Sequence, residues 1–505
     1  MYREDLAWPI AYSDNYTVGG SGKPQPLVDH VLDFYEVESP VKGIRLYVTI
    51  GERNGELVYA PVEPPLNRME LLALLKLKKF MHDYYIPRNP DLVFKEPHAI
   101  ILEVLREGLR RFKLQRRLSR LSIQKIAYYL YRDHIGYGPL EVMMRDPQVE
   151  DISVPGVGYN VYVWHTKYEN IKTTVKISSG EVMRDLINRF AVRGRVQLSA
   201  TRPIADAITP EGYRAHLVLG NVASSGGTIT VRKFRATPFT ILELVANGTI
   251  DLNLAAYLWY LVENKRSIVI FGPTGAGKTT LLNALAMLIL PSMKIITIEE
   301  TRELNLLHPH WVPLVAPPGS GVKLYDLVAS SLRQRPDYII VGEIRGEEAY
   351  VFFQAVATGH GGLTTMHAES INAAIARLTS PPMNVSIEHI GSIDAFVYIN
   401  RVRVRGRIVR RVLEVSEVVE VDSYRRKVTF NTAFRWTGEL TDTFSRNTSI
   451  VLQRIAEHRV VDPSIIEREV EERKRILEDL LRRGAISYEE FAREITSYYL
   501  SRLPP

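Results

Sequence analysis

The sequence predicts an α/β protein whose C-terminal part is a parallel, helix-covered sheet. A mixed α/β domain and a partly helical N-terminal region precede it. Three observations lead there. First, 505 residues exceed what one hydrophobic core organises, so more than one domain is expected. Second, from Leu254 onward short apolar runs alternate with helical patterns. Third, Gly272-Pro-Thr-Gly-Ala-Gly-Lys-Thr279 stands between an apolar run and an apolar helix pattern.

Composition sets outer limits. The chain has no cysteine, which excludes disulfides, cysteine-held zinc, iron–sulfur clusters and thiol catalysis. It also fits a reducing cytoplasm. The longest apolar run, Leu281–Leu290, is shorter than the roughly 18 residues a membrane helix needs. No basic-then-apolar signal pattern follows Met1, so a cytoplasmic protein is expected. The net charge of +7 is modest, but Arg106, Arg110, Arg111, Lys113, Arg116, Arg117 and Arg120 crowd one segment. Such a run reads either as a solvated helix face or as a surface for anionic lipid, nucleic acid or an acidic partner.

Residues 1–125 read as a partly β lead-in followed by helices. Leu71, Leu72, Leu74 and Leu75 form one apolar helix face, and Ile101, Leu105, Leu109 and Phe112 another. Residues 126–237 read as a mixed α/β domain. Val161–Trp164, Ala215–Gly220 and Thr228–Phe234 look like strands there, and Gly180–Ala191 like a helix. A linker is expected over 238–252. The last domain, 253–505, has strands at Ser267–Phe271, Lys294–Ile298, Tyr338–Val341 and Leu363–Met366, then antiparallel strands around Phe396–Ile399 and Ile408–Val421. Asp462-Pro463 and Ser487–Glu490 read as helix starts in a helical tail.

The glycine-rich segment Gly272, Pro273, Thr274, Gly275, Ala276, Gly277, Lys278, Thr279 and Thr280 matches the phosphate-loop pattern in full. Phosphate oxygens must approach the backbone closely, so side chains are in the way. Successive N–H groups and the start of the next helix then supply positive charge. Lys278 is placed to reach the terminal phosphates of ATP, and Thr279 to put a hydroxyl on Mg²⁺.

Hydrolysis needs more: a group to orient water and a positive charge to meet the transition state. Such groups belong at the C-terminal ends of neighbouring strands. Thr297–Glu303 runs from an apolar strand into three carboxylates, Glu299, Glu300 and Glu303. Tyr338–Val341 runs into Gly342-Glu343. Gly342 occupies the place usual for aspartate, so Glu343 is expected to act on both Mg²⁺ and water, with Arg345 beside it. His360 and His367 bracket a third strand. Without a third ligand beside them, they read as γ-phosphate sensors rather than as a metal site.

Taken in order, these segments resemble the type II/type IV secretion and type IV pilus assembly ATPases, and within them the archaeal branch that includes the archaellum motor. The resemblance rests on Gly138-Pro-Leu-Glu141, Asp146-Pro147 and Glu150-Asp-Ile152, on the phosphate loop, and on the acidic box ending at Glu303. Gly342-Glu-Ile-Arg345, Thr358-Gly-His360 and His367 complete it. It covers about Tyr131 to Glu369. It implies a RecA-like motor domain behind a sensory-type (PAS-like) domain, assembled as a homohexamer that works on a membrane platform protein from the cytoplasmic side. It implies that Glu303, Glu343, His360 and His367 are catalytic, and that Arg214 and Arg235, with Arg232 as a further candidate, meet the triphosphate.

Two departures refine this. The tetracysteine zinc element of bacterial type II members is missing, as the absence of cysteine requires. The loop reads Gly-Pro-Thr-Gly-Ala-Gly-Lys and Gly361 follows His360, which favours pilus assembly or secretion over an archaellum motor. A nucleic-acid translocase of conjugation type and a non-catalytic, nucleotide-gated assembly factor are the competing readings. The basic run lacks the interleaved aromatics of a single-strand platform, which disfavours nucleic acid. Lys278, Thr279, Glu303 and Glu343 are all present, which disfavours a dead enzyme.

Overall fold

The computed structural model describes residues 28–88, 97–233, 237–316, 321–485 and 487–502. They form two compact units, Met1–Arg235 and Ala236–Pro505.

The first unit is built on a nine-stranded sheet. Its strands are β1 (His30–Val37), β2 (Leu46–Arg53), β3 (Glu56–Val62), β4 (Val149–Val154), β5 (Asn160–His165), β6 (Glu169–Lys176), β7 (Ile204–Ile208), β8 (Arg214–Leu219) and β9 (Gly227–Arg232). The spatial order is β1-β2-β3-β6-β5-β4-β9-β8-β7. All neighbours are antiparallel except β3 and β6, which pair in parallel through Val58–Lys172 and Tyr59–Thr173. The division expected near residue 125 therefore does not separate two compact units: the lead-in strands complete the sheet of the segment that follows. Asp146, fully buried, reinforces the seam by accepting hydrogen bonds from Tyr35 (2.7 Å) and Tyr59 (2.8 Å).

Helices cover this sheet. Arg68–Phe80 starts with a capping box between Asn67 and Glu70. It buries Leu74 and Leu77 but leaves Leu72 half exposed, so the apolar face is narrower than the leucine run suggests. Its Lys78 pairs with Asp133 of helix Arg120–His134, and Arg132 of that helix bonds Asp133 (2.7 Å) and Glu63 (2.5 Å). All four groups are buried or nearly so, and each charge has a partner, as a low-dielectric site requires. Helix Pro97–Arg111 buries Ile101, Leu105 and Leu109 as its spacing predicts. The seven basic residues from Arg106 to Arg120 are all exposed.

The second unit holds another nine-stranded sheet. Its strands are β10 (Ile268–Phe271), β11 (Ile295–Glu299), β12 (Trp311–Val315), β13 (Tyr338–Val341), β14 (Gly361–Met366), β15 (Ala395–Val404), β16 (Arg407–Asp422), β17 (Lys427–Trp436) and β18 (Phe444–Arg446). The order is β12-β11-β13-β14-β10-β15-β16-β17-β18. The first six run parallel and the last three continue antiparallel. The expected α/β class and parallel core are thus observed. Ile268 and Ile270 of β10 join one apolar core, Val269 and Phe271 the other. Burial on both faces explains why this strand reads as a continuous apolar run. Strand β12 lies at the sheet edge, where Pro313 removes no ladder bond that the sheet needs.

Residues 238–252 are not an extended linker. Thr240 and Glu243 form a capping box that starts helix Ile241–Ala246, and Ile241 and Leu242 are fully buried in the second unit's core. The tail packs on the same core. Asp462 caps helix Pro463–Arg483, with proline at its first turn. Arg473, buried, forks onto Glu263 (2.9 and 2.7 Å), and Trp259 donates to Tyr499 (2.6 Å). At the last helix, Tyr488–Leu500, the Ser487 hydroxyl donates to the Glu490 carboxylate (2.7 Å) instead of accepting a backbone N–H, so the expected capping box does not form. Among the described residues no helix is long and apolar enough to cross a membrane.

Candidate nucleotide site

The glycine-rich loop joins β10 to helix Lys278–Ala286, at the carboxyl end of the parallel strands. Two of its glycines are required by geometry. A Cβ on Gly272 would come within 2.0 Å of the Ile399 carbonyl oxygen on the neighbouring strand β15. Gly277 has φ of 97°, a conformation that side chains disfavour, and from it the chain turns into the helix. The loop thereby presents main-chain N–H groups and a helix start to one concave side, which suits phosphate.

Lys278 is held across the loop: its Nζ donates to the Pro273 carbonyl (2.9 Å) and lies 3.3 Å from His367 Nδ1. An ammonium can only donate, so Nδ1 accepts and the ring proton sits on Nε2. That nitrogen is 3.2 Å from Glu343 Oε1. Lysine, histidine and glutamate thus form a chain linking the loop to the ends of β14 and β13. Thr279 and Thr280 follow in the first helical turn, both partly exposed.

The end of β13 is tightly fixed. Thr365 of β14 donates to the Gly342 carbonyl (2.7 Å), and Glu348 accepts the N–H groups of Arg345 and Gly346 (both 2.7 Å). Arg345 pairs with Glu300, which ties this turn to the acidic segment after β11.

That acidic segment has an internal support. Glu299 is 4 % exposed, and its Oε1 accepts the N–H groups of Glu303 (2.9 Å) and Leu304 (3.0 Å). Its Oε2 is buried with no hydrogen-bond partner. Burial pushes the Glu299 carboxyl up to about 7, against the pull of the two N–H groups. One step on, Asn283 of the loop helix accepts the Asn305 N–H (3.0 Å), so the segment carrying Glu303 is stitched to the helix that begins at Lys278. In the sequence Glu299 stands as one of three terminal acids; in the fold it is the last residue of a wholly buried strand and turns inward.

His360 and His367 bracket β14, as the sequence places them. His360 precedes β14, whereas the loop follows β10, and the two strands are parallel. His360 therefore sits at the opposite end of β14 from His367, about 20 Å away along the strand. There its Nδ1 bonds the Ala355 carbonyl (3.0 Å) and lies 3.3 Å from the Thr358 hydroxyl. Within one chain the two histidines do not act on one group.

The arginines of the first unit are brought together with one another. Arg214 of β8 and Arg232 of β9 are register partners; Arg214 lies 3.5 Å from Asp206, and Arg232 3.5 Å from Asp151. Arg235 lies outside the described residues.

The profile of the Type II/IV secretion system protein family matches residues 139–457. The chain belongs to this family. It is 37 % identical over 388 residues to an uncharacterized protein of Methanocaldococcus jannaschii, covering 74 % of this chain and 70 % of that one. It is 34 % identical over 209 residues to the type IV secretion system protein PtlH of Bordetella pertussis, covering 35 % of this chain and 61 % of that one. Among solved structures it is similar to the VirB11 ATPase of the Brucella suis type IV secretion system in complex with sulphate. That match has 27 % identity, 57 % and 94 % coverage and a TM-score of 0.30. It is also similar to the pilus retraction motor PilT with bound ADP, at 19 % identity, 52 % and 79 % coverage and a TM-score of 0.40. The matched span of this secretion-family chain begins at Pro139 and so includes most of the first unit's sheet and all of the parallel core.

Proposed function

We propose that this chain is an ATP-hydrolysing motor of the secretion family that powers assembly of a type IV pilus-like filament or secretion of protein across a membrane. One observation carries the reading: Lys278 of the phosphate loop, His367 and Glu343 lie side by side at the carboxyl ends of three adjacent strands, Lys278 within 3.3 Å of His367 and His367 within 3.2 Å of Glu343.

The residues fit Mg²⁺-ATP. The concave loop with its obligatory glycines takes the phosphates, the Thr279 hydroxyl and Glu343 would hold the ion, and Lys278 would exchange the Pro273 carbonyl and His367 for phosphate oxygens. Mg²⁺, when bound, supplies charge to the outer phosphate oxygens. With its lysine partner drawn away, His367 keeps Nε2–H toward Glu343 and orients that carboxylate. Glu343 and Glu303 then compete for one task, accepting the attacking water's proton. Glu299 fixes where Glu303 can stand, because its carboxylate holds the backbone at 303 and 304. Arg214, Arg232 and Arg235 are proposed as further cationic groups for the triphosphate, since guanidinium offers planar, paired donors to spread phosphate charge.

In the same reading the chain works as a homohexamer on the cytoplasmic face, beside a membrane platform protein. The family supports this, and the exposed basic run from Arg106 to Arg120 suits an anionic surface. The test is ATP turnover per chain against protein concentration, with Mg²⁺ and no partner, together with solution mass. Turnover that rises with concentration alongside a rise in mass supports an assembled motor. ATP binding without turnover at any concentration would favour a nucleotide-gated assembly factor.

A further inference from the structure

Across the hairpin of β15 and β16, Arg401 and Arg410 are direct register partners. Both reach the phosphate loop. Arg410 Nε donates to the Gly275 carbonyl (3.1 Å), and its Cδ would lie 3.2 Å from a Cβ on Gly277. The Arg401 guanidinium carbon would lie 3.8 Å from a Cβ on Gly275. Strand β15 is the neighbour of β10 on the side away from β14. These arginines therefore flank the loop on the face opposite His367 and Glu343.

The part of the loop they flank, Gly275 to Gly277, is the part whose N–H groups cradle the inner phosphates in such loops. Guanidinium is the side chain best shaped to bind phosphate with paired donors. We propose that Arg401 and Arg410 are nucleotide-binding residues that grip the α- and β-phosphates from the hairpin side. The site then carries its own cations on both flanks within one chain: Lys278 toward the reacting end, the arginine pair toward the inner phosphates. This rests on the reading that the loop binds a nucleotide.

A contact to the inner phosphates predicts a binding defect that does not depend on the reacting end. ADP binding to the full chain would be measured by titration calorimetry for the wild type, Arg401→Ala, Arg410→Ala and Arg410→Gln. The expected result is ADP affinity lower by about tenfold or more in each variant. The defect shrinks as salt rises, since screening weakens a charge contact in the wild type. Arg410→Gln separates the two roles of that side chain. It offers an N–H for the Gly275 carbonyl but no charge. Recovery of wild-type affinity in Arg410→Gln would make Arg410 a loop support and overturn the proposal for it. ADP affinities unchanged in both alanine variants would overturn it for the pair. A wild type that binds no ADP, while circular dichroism shows it folded, would overturn the nucleotide reading itself and this inference with it.

Discussion

A Cβ on Gly342 would sit 3.0 Å from Glu299 Cγ and 3.5 Å from its Oε1. The glycine that stands where an aspartate is usual is therefore glycine for a reason: the side chain of β11's last residue fills the space in front of it. Placing aspartate at 342 would set a second carboxylate against a buried one. Gly342→Asp is expected to cost about 1–3 kcal/mol and to lower, not raise, turnover. Thermal unfolding and steady-state phosphate release check this. A variant with wild-type melting temperature and higher activity would show that the space is free.

Glu299 also gives a pH signature. Its folded value of about 7 lies above the ordinary 4.5, so the folded protein binds the extra proton between these values. Stability therefore falls as pH rises through that window, and the penalty is fully present above pH 7. Glu299→Gln keeps an oxygen for the N–H groups of Glu303 and Leu304 and removes the titration. It is expected to match the wild type near pH 5 and to be more stable at pH 8, by up to about 3 kcal/mol. Melting temperatures at the two pH values decide it. An equal difference at both would mean that the carboxyl does not titrate in this range.

His367 and His360 are expected to separate in a single-chain assay. His367 touches both Lys278 and Glu343, whereas His360 bonds only to the turn before its own strand. His367→Ala is expected to lower turnover about 100-fold with ADP affinity within a few fold of the wild type. His360→Ala is expected to leave ADP affinity unchanged. Pre-steady-state phosphate release and calorimetry read the two effects. A loss of ADP affinity in His360→Ala would mean that its strand end reaches a nucleotide after all, one held by another copy of the chain.

Much of the second unit was legible in the sequence. Four of its parallel strands are buried along their whole length, and β10 and β13 among them read as unbroken apolar runs; the loop's glycines and lysine are dictated by phosphate geometry alone. Asp462-Pro463 likewise announced a helix by local chemistry. What stayed hidden depends on distant partners. Strand β12 carries a proline and is partly exposed throughout because it is an edge, and nothing local marks it as a strand. The apparent linker is a helix because Ile241 and Leu242 find a core contributed by residues up to Tyr499. The lead-in joins the first sheet through a parallel pair between residues more than a hundred positions apart. The acids and histidines were found by their places at strand ends. Which end of the bracketed strand lies beside the loop, and the arginine pair of the β15–β16 hairpin, are written only in the topology.

In the proposed motor, the loop, Lys278 and the terminal carboxylate of β13 form one hydrolytic site. The most direct measurement is steady-state phosphate release from Mg²⁺-ATP by the wild type and by Glu343→Gln, with ATP binding measured on the same samples. Glu343→Gln is expected to bind ATP as the wild type does and to release phosphate about 1,000-fold more slowly. Wild-type turnover in Glu343→Gln would contradict this and move the water-activating role to Glu303.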